Sequence, residues 1–458
     1  MGVFFSLLST AYYMPKLYFG SVPATIASKS AASSKTVERI NLRDFLQLRC
    51  PSLFEEFRPA WWLRSGHLQT GYCVLGDFSK IDKVEYDRTL LRTLDGGTIG
   101  IDSTPPAQER TLKEDTPIIV VLHGLTGGSH ESYVRSILAP ACTPVEQGGL
   151  GYRGIVVNFR GCAGVPLTSP QLYSALYTDD IRVAVMYIHK QYPRAPLIGI
   201  GFSLGANVLT RYLAEEGEKS RLVAGLISWV PVFPRLVQHA DGTFAFSLSS
   251  RFFHRHVYSS GMAQNLQKLM GRHSKALAQF PDSPAWKAAQ TVAAKKSMSL
   301  IEFDDTVTCV CGGSYPPFPF ATAYDYYHAA SSHRVLGGIR VPFLALNSDD
   351  DPIASNMPIG EADNGFVVLG LTKGGGHLGW FEAGKHFGQV DRWIRKPVLE
   401  WIRAMGEDFV PEGERGQPTH EVDGFLKQIG RDDIGCKEIE GGGHVVGVEG
   451  EEGLLAGL

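Results

Sequence analysis

The sequence predicts an α/β fold, a mostly parallel, doubly wound sheet with an inserted helical cap. Two observations carry this reading. Six short apolar runs rich in β-forming residues alternate with longer amphipathic stretches between residues 117 and 405. Buried strands that alternate with helices belong to parallel sheets covered on both faces. About a hundred residues between Val230 and Pro342 then break the rhythm with helix-like segments, and a structureless loop of that length does not fit a compact domain. At 458 residues and 44% hydrophobic content, the chain can bury one large core or two modest ones.

Within the N-terminal segment 1–24, residues 3–24 are largely apolar and aromatic, with Lys16 the only charged side chain. No basic stretch precedes them, which argues against a secretory leader. Pro15 and Lys16 interrupt them short of a spanning helix. An interfacial anchor on a membrane or lipid droplet is the expectation, with a helix packed on the protein itself as the alternative. Residues 1–6 also fit the permissive N-myristoylation pattern. Residues 25–82 read as a linker and N-terminal arm, polar and Ser/Ala/Lys-rich at first.

Residues 83–231 read as the first part of the sheet domain. A hairpin spans 84–94 and 98–103 around Asp95-Gly96-Gly97. Strands follow at 117–122, 154–159, 197–201 and 225–230, with helices near 130–139, 176–191 and 204–215. Residues 232–340 are assigned to the cap, with helices at 261–279 and 284–297, over the sheet edge where ligands bind in open α/β folds. The sheet domain resumes over 341–410, with strands at 342–347 and 366–371 and a helix at 392–405. Residues 411–458 carry eleven acidic and four basic side chains without apolar periodicity, and a disordered tail is expected there.

A net charge of −3 points away from a nucleic-acid partner. The seven cysteines are scattered, and Cys309-x-Cys311 has no second pair to complete a zinc site. Reduced thiols in an intracellular compartment are expected, and no metal or cofactor. The absence of any N-x-[ST] sequon agrees with that placement.

The chemistry concentrates at Gly201-Phe202-Ser203-Leu204-Gly205, between an apolar strand and a helical stretch. In that setting the Ser of G-x-S-x-G is raised on a tight turn as a nucleophile. The pattern alone is weak in a chain with 51 glycines. A serine hydroxyl also needs a base and an acid that orients the base, here in the order Ser, Asp, His. Ser348-Asp349-Asp350-Asp351-Pro352 follows one strand directly. Asp351 is the choice, because Pro352 fixes the outgoing turn, and Asp350 is the runner-up. Gly374-Gly375-Gly376-His377 follows the next strand and brings the first His after that acid. Oxyanion donors are expected at the backbone N–H of Leu204 and of Leu125, the latter within His123-Gly124-Leu125-Thr126-Gly127-Gly128. A dinucleotide site is excluded, since Leu204 stands where Gly199-x-Gly201 would need its third glycine.

These residues resemble one branch of the α/β-hydrolase superfamily. It contains the fungal medium-chain fatty-acid ethyl ester synthase/esterases, the related monoacylglycerol lipases and the animal α/β-hydrolase-domain phospholipases. The resemblance covers roughly residues 50–405 and rests on several motifs. Trp62-Leu63-Arg64-Ser65-Gly66-His67-Leu68-Gln69-Thr70, 123–129, Asn158-Phe159-Arg160-Gly161-Cys162 and 201–206 carry its first half. Glu302-Phe303-Asp304-Asp305, Tyr326-Tyr327, Asp350-Asp351-Pro352 and Gly375-Gly376-His377 carry its second. The resemblance implies a triad of Ser203, Asp351 and His377, fatty acyl ester or thioester substrates, and frequent membrane or lipid-droplet association. Residues 66–70 have no role derivable from chemistry, and the tail lies outside the resemblance.

Three functions compete. An esterase or lipase would clear an acyl-Ser203 with water, and an acyl-CoA:alcohol acyltransferase would clear it with an alcohol. A non-catalytic scaffold would need neither, but no triad member is missing. His386-x4-Asp391 matches an acyltransferase pattern by chance, at an expected helix start. Tyr315, Phe318, Phe320, Tyr324, Tyr326 and Tyr327 either line an acyl pocket or pack a core.

Overall fold

Ile118-Ile119-Val120-Val121-Leu122 has no polar side chain to offer water, so both of its faces must be covered. In the computed structural model every one of these residues is buried at the centre of a twelve-stranded sheet. The structure describes residues 14–30, 36–228, 254–354, 357–360, 363–386 and 388–447. In chain order the strands are β1 (Lys16–Phe19), β2 (Thr25–Lys29), β3 (Val37–Asn41), β4 (Glu85–Thr93), β5 (Thr98–Thr104), β6 (Ile118–Leu122), β7 (Arg153–Asn158) and β8 (Leu197–Phe202). They continue as β9 (Leu222–Ser228), β10 (Phe343–Ser348), β11 (Val367–Thr372), β12 (Phe381–Ala383), β13 (Val390–Arg392), β14 (Thr419–Val422), β15 (Phe425–Gln428) and β16 (Arg431–Val446).

The sheet order is β1-β11-β10-β9-β8-β6-β7-β5-β4-β16-β15-β14. The six strands from β11 to β7 run parallel, and antiparallel strands flank them on both sides. Side-chain alternation divides the core. Ile119, Val121, Ile198 and Ile200 join one buried cluster, and Ile118, Val120, Leu122 and Leu197 join the other. Helices α1 (Leu42–Arg49), α3 (Ser132–Cys142) and α9 (Arg395–Arg403) cover the first face, with α2 (Gly66–Leu75) lying before β4. Helices α4 (Asp179–Gln191) and α5 (Leu204–Glu216) cover the second. Between β9 and β10, α6 (Ser260–Arg272), α7 (Pro284–Ala293), α8 (Ala323–Ala330) and shorter turns occupy 254–338. Residues 232–253 of the expected cap lie outside the described residues.

Three expectations are corrected. Residues 1–13 of the apolar segment lie outside the described residues, but Lys16–Phe19 is an edge strand paired with β11. Its side chains alternate, Leu17 and Phe19 to one core and Tyr18 to the other, so β-pairing accounts for the apolar side chains at 17–19. The stretch read as a linker is β2 and β3 in a hairpin, followed by α1. Asn41 caps α1 by accepting the Asp44 N–H, and Leu42, Phe45 and Leu46 are buried. The tail expected to be disordered is ordered through residue 447, with β16 extending the sheet along β4. Its outer half is exposed on both faces, so it carries no alternation to read, and backbone pairing holds it in place. Leu426, Ile434 and Cys436 anchor it in the second core. The seven cysteines form no disulfide among the described residues. No described helix is long and apolar enough to cross a membrane.

The anchoring of β16 is testable. Ile434→Ala should lower the unfolding free energy in urea by about 2–4 kcal/mol. A denaturation curve identical to that of the unaltered protein would contradict an ordered strand at this position.

Candidate active site

Strand β8 ends at Phe202, and the chain turns sharply into α5 through Ser203, whose backbone lies at φ 50°, ψ −118°. Few non-glycine residues adopt that conformation, at a cost of roughly 1–3 kcal/mol. Close packing enforces it. A β-carbon on Gly205 would lie 2.4 Å from the Leu122 carbonyl oxygen, and one on Gly201 would lie 2.6 Å from the Ala206 α-carbon. Only glycines at both places let α5 sit this close to β6 and β8. The turn lifts Ser203 Oγ beyond the strand end.

His377 arrives on the loop after β11, and its Nε2 lies 3.0 Å from Ser203 Oγ. Its Nδ1 lies 2.8 Å from Asp351 Oδ2. All three side chains are buried. Asp351 Oδ1 also accepts the N–H groups of Ile353 (2.8 Å) and Ala354 (3.0 Å), which fixes the carboxylate. The three adjacent acids therefore have separate roles. Asp350, the runner-up, accepts the Gly376 N–H at 2.9 Å and the Ser348 hydroxyl at 2.5 Å. Asp349 accepts the Gly374 N–H at 3.1 Å. Asp351 faces the imidazole, and the other two tether the loop that carries it.

The loop after β6 is held in the same way. Gly124 N–H donates to Tyr133 Oη (2.9 Å), Thr126 N–H to Tyr173 Oη (3.0 Å) and Ser129 N–H to Asn158 Oδ1 (3.0 Å). Leu125 lies between two of these tethers. Among the described residues no acceptor engages the N–H of Leu125 or of Leu204. Leu204 is the first residue of α5, where backbone donors lack intrahelical partners. His123 steadies this loop as a neutral imidazole. Its Nδ1 donates to the Gly124 carbonyl (2.7 Å), and its Nε2 accepts the Phe159 N–H (3.2 Å). Burial pushes its pKa down to about 3, against the opposing effect of the Gly124 hydrogen bond.

The helical insertion meets the site through the side chains of Leu125 and Leu204. Leu125 packs against the cluster of Tyr258 and Met262, and Leu204 against the cluster that contains Phe318, Tyr326 and Tyr327. Tyr258 Oη lies 2.9 Å from His67 Nδ1, and burial, then the Asp351 charge, pushes the Tyr258 phenol up to about 12. Of the six aromatics singled out in the sequence, Phe318, Tyr326 and Tyr327 are buried and Phe320 packs beside them, whereas Tyr315 and Tyr324 are exposed. His386 and Asp391 are exposed around the β12–β13 hairpin, not at a helix start.

Over residues 117–357 the chain matches the profile of the alpha/beta hydrolase fold. It belongs to this family. This alpha/beta hydrolase is 29% identical to a monoacylglycerol lipase of Saccharomyces cerevisiae, over 85% of the chain and 90% of that protein. It is 33% identical to an abhydrolase domain-containing protein of Dictyostelium discoideum, over 77% and 82%. It is 32% identical to phospholipase ABHD3 of Mus musculus, over 74% and 76%.

Sequence reasoning missed the tethers Asp349, Asp350, Tyr133 and Tyr173. Their signal was adjacency to the loops that they hold, which becomes visible only once the strands are aligned. The state of His123 has a measurable consequence. Its folded pKa lies below the unfolded value, so its neutral burial stabilises the fold above about pH 6.5. That contribution is lost, at about 1.4 kcal/mol per pH unit, as pH falls toward 3. Replacing His123 with Gln should flatten the fall in unfolding free energy between pH 6 and pH 4 relative to the parent. Parallel pH profiles would mean that His123 is not buried neutral.

Proposed function

We propose that this protein is a serine carboxylic-ester hydrolase acting on lipid acyl esters, with Ser203 as nucleophile, His377 as base and Asp351 as orienting acid. The observation that carries the reading is the continuous Asp351–His377–Ser203 hydrogen-bonded line ending on a strained turn beside two unengaged N–H groups. Ser203 Oγ attacks the acyl carbonyl carbon while its proton passes to His377 Nε2. The carbonyl oxygen becomes an oxyanion that accepts hydrogen bonds from the Leu125 and Leu204 N–H groups. Collapse breaks the carbon–oxygen bond to the alcohol, which leaves with the proton from Nε2. Water then attacks acyl-Ser203, gives a proton to Nε2, and releases the fatty acid and the serine. Asp351 stabilises the imidazolium at each proton transfer.

The lipid substrate class is supported by the monoacylglycerol lipase and phospholipase relatives. Water as the acyl acceptor agrees with those names, so hydrolysis is preferred to alcohol transfer. The same reading places the protein peripherally at a membrane or droplet surface, where such esters reside. The exposed Trp61, Leu68 and Leu75, on and before α2, support that placement. Co-flotation with phosphatidylcholine vesicles, lost in a Trp61→Ala/Leu68→Ala/Leu75→Ala variant, is the expected result. Absence of flotation by the parent protein would remove the peripheral placement.

The roles of the adjacent acids separate in one assay. With a nitrophenyl octanoate substrate, Asp351→Asn should lower kcat by about 10⁴-fold. Asp350→Asn keeps an acceptor oxygen for Gly376 and should stay within about tenfold of the parent. Ser203→Ala should abolish both turnover and fluorophosphonate labelling. Equal losses at 350 and 351, or labelling that survives Ser203→Ala, would refute the assignment.

A further inference from the structure

The stretch Gly66-His67-Leu68-Gln69-Thr70 forms the first turn and a half of α2, with Ser65 accepting the Leu68 N–H as its N-cap. Residues 66, 69 and 70 stand at helical spacings of three and four and share one face. Gly66, Gln69 and Thr70 are buried, while His67 and Leu68 are exposed. The buried face lies against the His377 loop.

That loop needs outside support. Gly374, Gly375, Gly376, Leu378 and Trp380 all have positive φ, and the last two are not glycines. Two side chains of α2 hold its backbone. Thr70 Oγ1 accepts the His377 N–H at 2.9 Å and donates to the Gly66 carbonyl at 2.7 Å. Gln69 Oε1 accepts the Phe381 N–H at 2.7 Å, and its Nε2 donates to the Leu63 carbonyl (2.7 Å) and the Phe381 carbonyl (3.2 Å). His377, Gln69 and Thr70 are fully buried, so no solvent can replace these partners.

The two segments also interlock without side chains. A β-carbon on Gly376 would lie 2.4 Å from the Gly66 carbonyl oxygen and 2.8 Å from Thr70 Oγ1. One on Gly66 would lie 1.8 Å from the Asp350 carbonyl oxygen. Glycines at 66 and 376 therefore bring α2, the loop after β10 and the loop after β11 into one contact.

We propose that Gln69 and Thr70, seated by Gly66, are positioning residues that hold the His377 loop where its imidazole meets both Ser203 and Asp351. This rests on the reading of His377 as the base. Thr70 fixes the backbone of the reacting residue itself, and Gln69 fixes the far end of its loop. A helix that lies before β4 in the chain thereby completes a site whose other parts come from the ends of β8, β10 and β11.

The test uses the full chain and a soluble nitrophenyl ester, with rates normalised to the folded fraction by circular dichroism. Thr70→Val keeps the shape and removes the hydroxyl. It should lower kcat about 10–100-fold, the scale of a base misplaced by about an ångström, with KM within about twofold of the parent. Thr70→Ser restores the hydroxyl and should recover most of that loss. Gln69→Met should show the same split between kcat and KM, and it supplies the measurement if Thr70→Val does not fold. Parent-like kcat in folded Thr70→Val or folded Gln69→Met overturns the proposal, as does a Thr70→Ser variant no better than Thr70→Val. His377→Ala is run alongside. If it turns over normally, the reading of the base has failed, which is distinct from losing only the positioning role.

Discussion

The backbone of Ser203 is the constraint on which the rest of the site depends. A residue at φ 50°, ψ −118° does not stay there unaided. It stays because α5 is pressed against β6 and β8 through Gly201 and Gly205, where a single added carbon would collide with main chain. The cost, roughly 1–3 kcal/mol, is small against the burial of Ala206, Val208, Leu209, Tyr212 and Leu213 on the same helix. The packing of one amphipathic helix thus holds one hydroxyl beyond the end of its strand. The His377 and Leu125 loops are built to meet that fixed point.

How they meet it shows a division of labour among similar groups. Asp349, Asp350 and Asp351 are chemically alike and adjacent, yet each accepts from a different donor. Backbone direction decides this. Strand β10 ends at Ser348, and successive residues beyond it point toward different parts of the neighbouring loop. On the other side, the Tyr133 and Tyr173 hydroxyls engage the amides flanking Leu125 and leave its own N–H unengaged. Both loops are ordered by partners that touch no reacting atom, which keeps the central geometry independent of solvent.

The sheet and the three polar residues of the line were legible in the sequence, because their signals are local. An unbroken apolar run such as 118–122 needs no context to be read as a buried strand. Glycines around Ser203 and before His377 mark turns at any position. What was not legible depends on distant partners. Lys16–Phe19 becomes a strand only because β11 offers an open edge, and β16 only because β4 does. Neither has enough buried apolar residues to announce itself. Helix α1 is eight residues long, too short for a secure period. Residues 66–70 show helical spacing, but their meaning lies more than three hundred residues away at His377.

The insertion between β9 and β10 bears on the proposed oxyanion donors through their side chains. Leu125 and Leu204, proposed as the oxyanion donors, have side chains that pack against two clusters containing residues of the insertion. A residue's amide and side chain move together. Residues of the insertion therefore bear on the position of both N–H groups. Substituting an apolar residue of either cluster disturbs the packing of these two residues, while Asp351, His377 and Ser203 rest on the sheet and α5. On the proposed mechanism the nucleophile, base and acid are held by the sheet and α5, and the two oxyanion donors are held from the insertion as well.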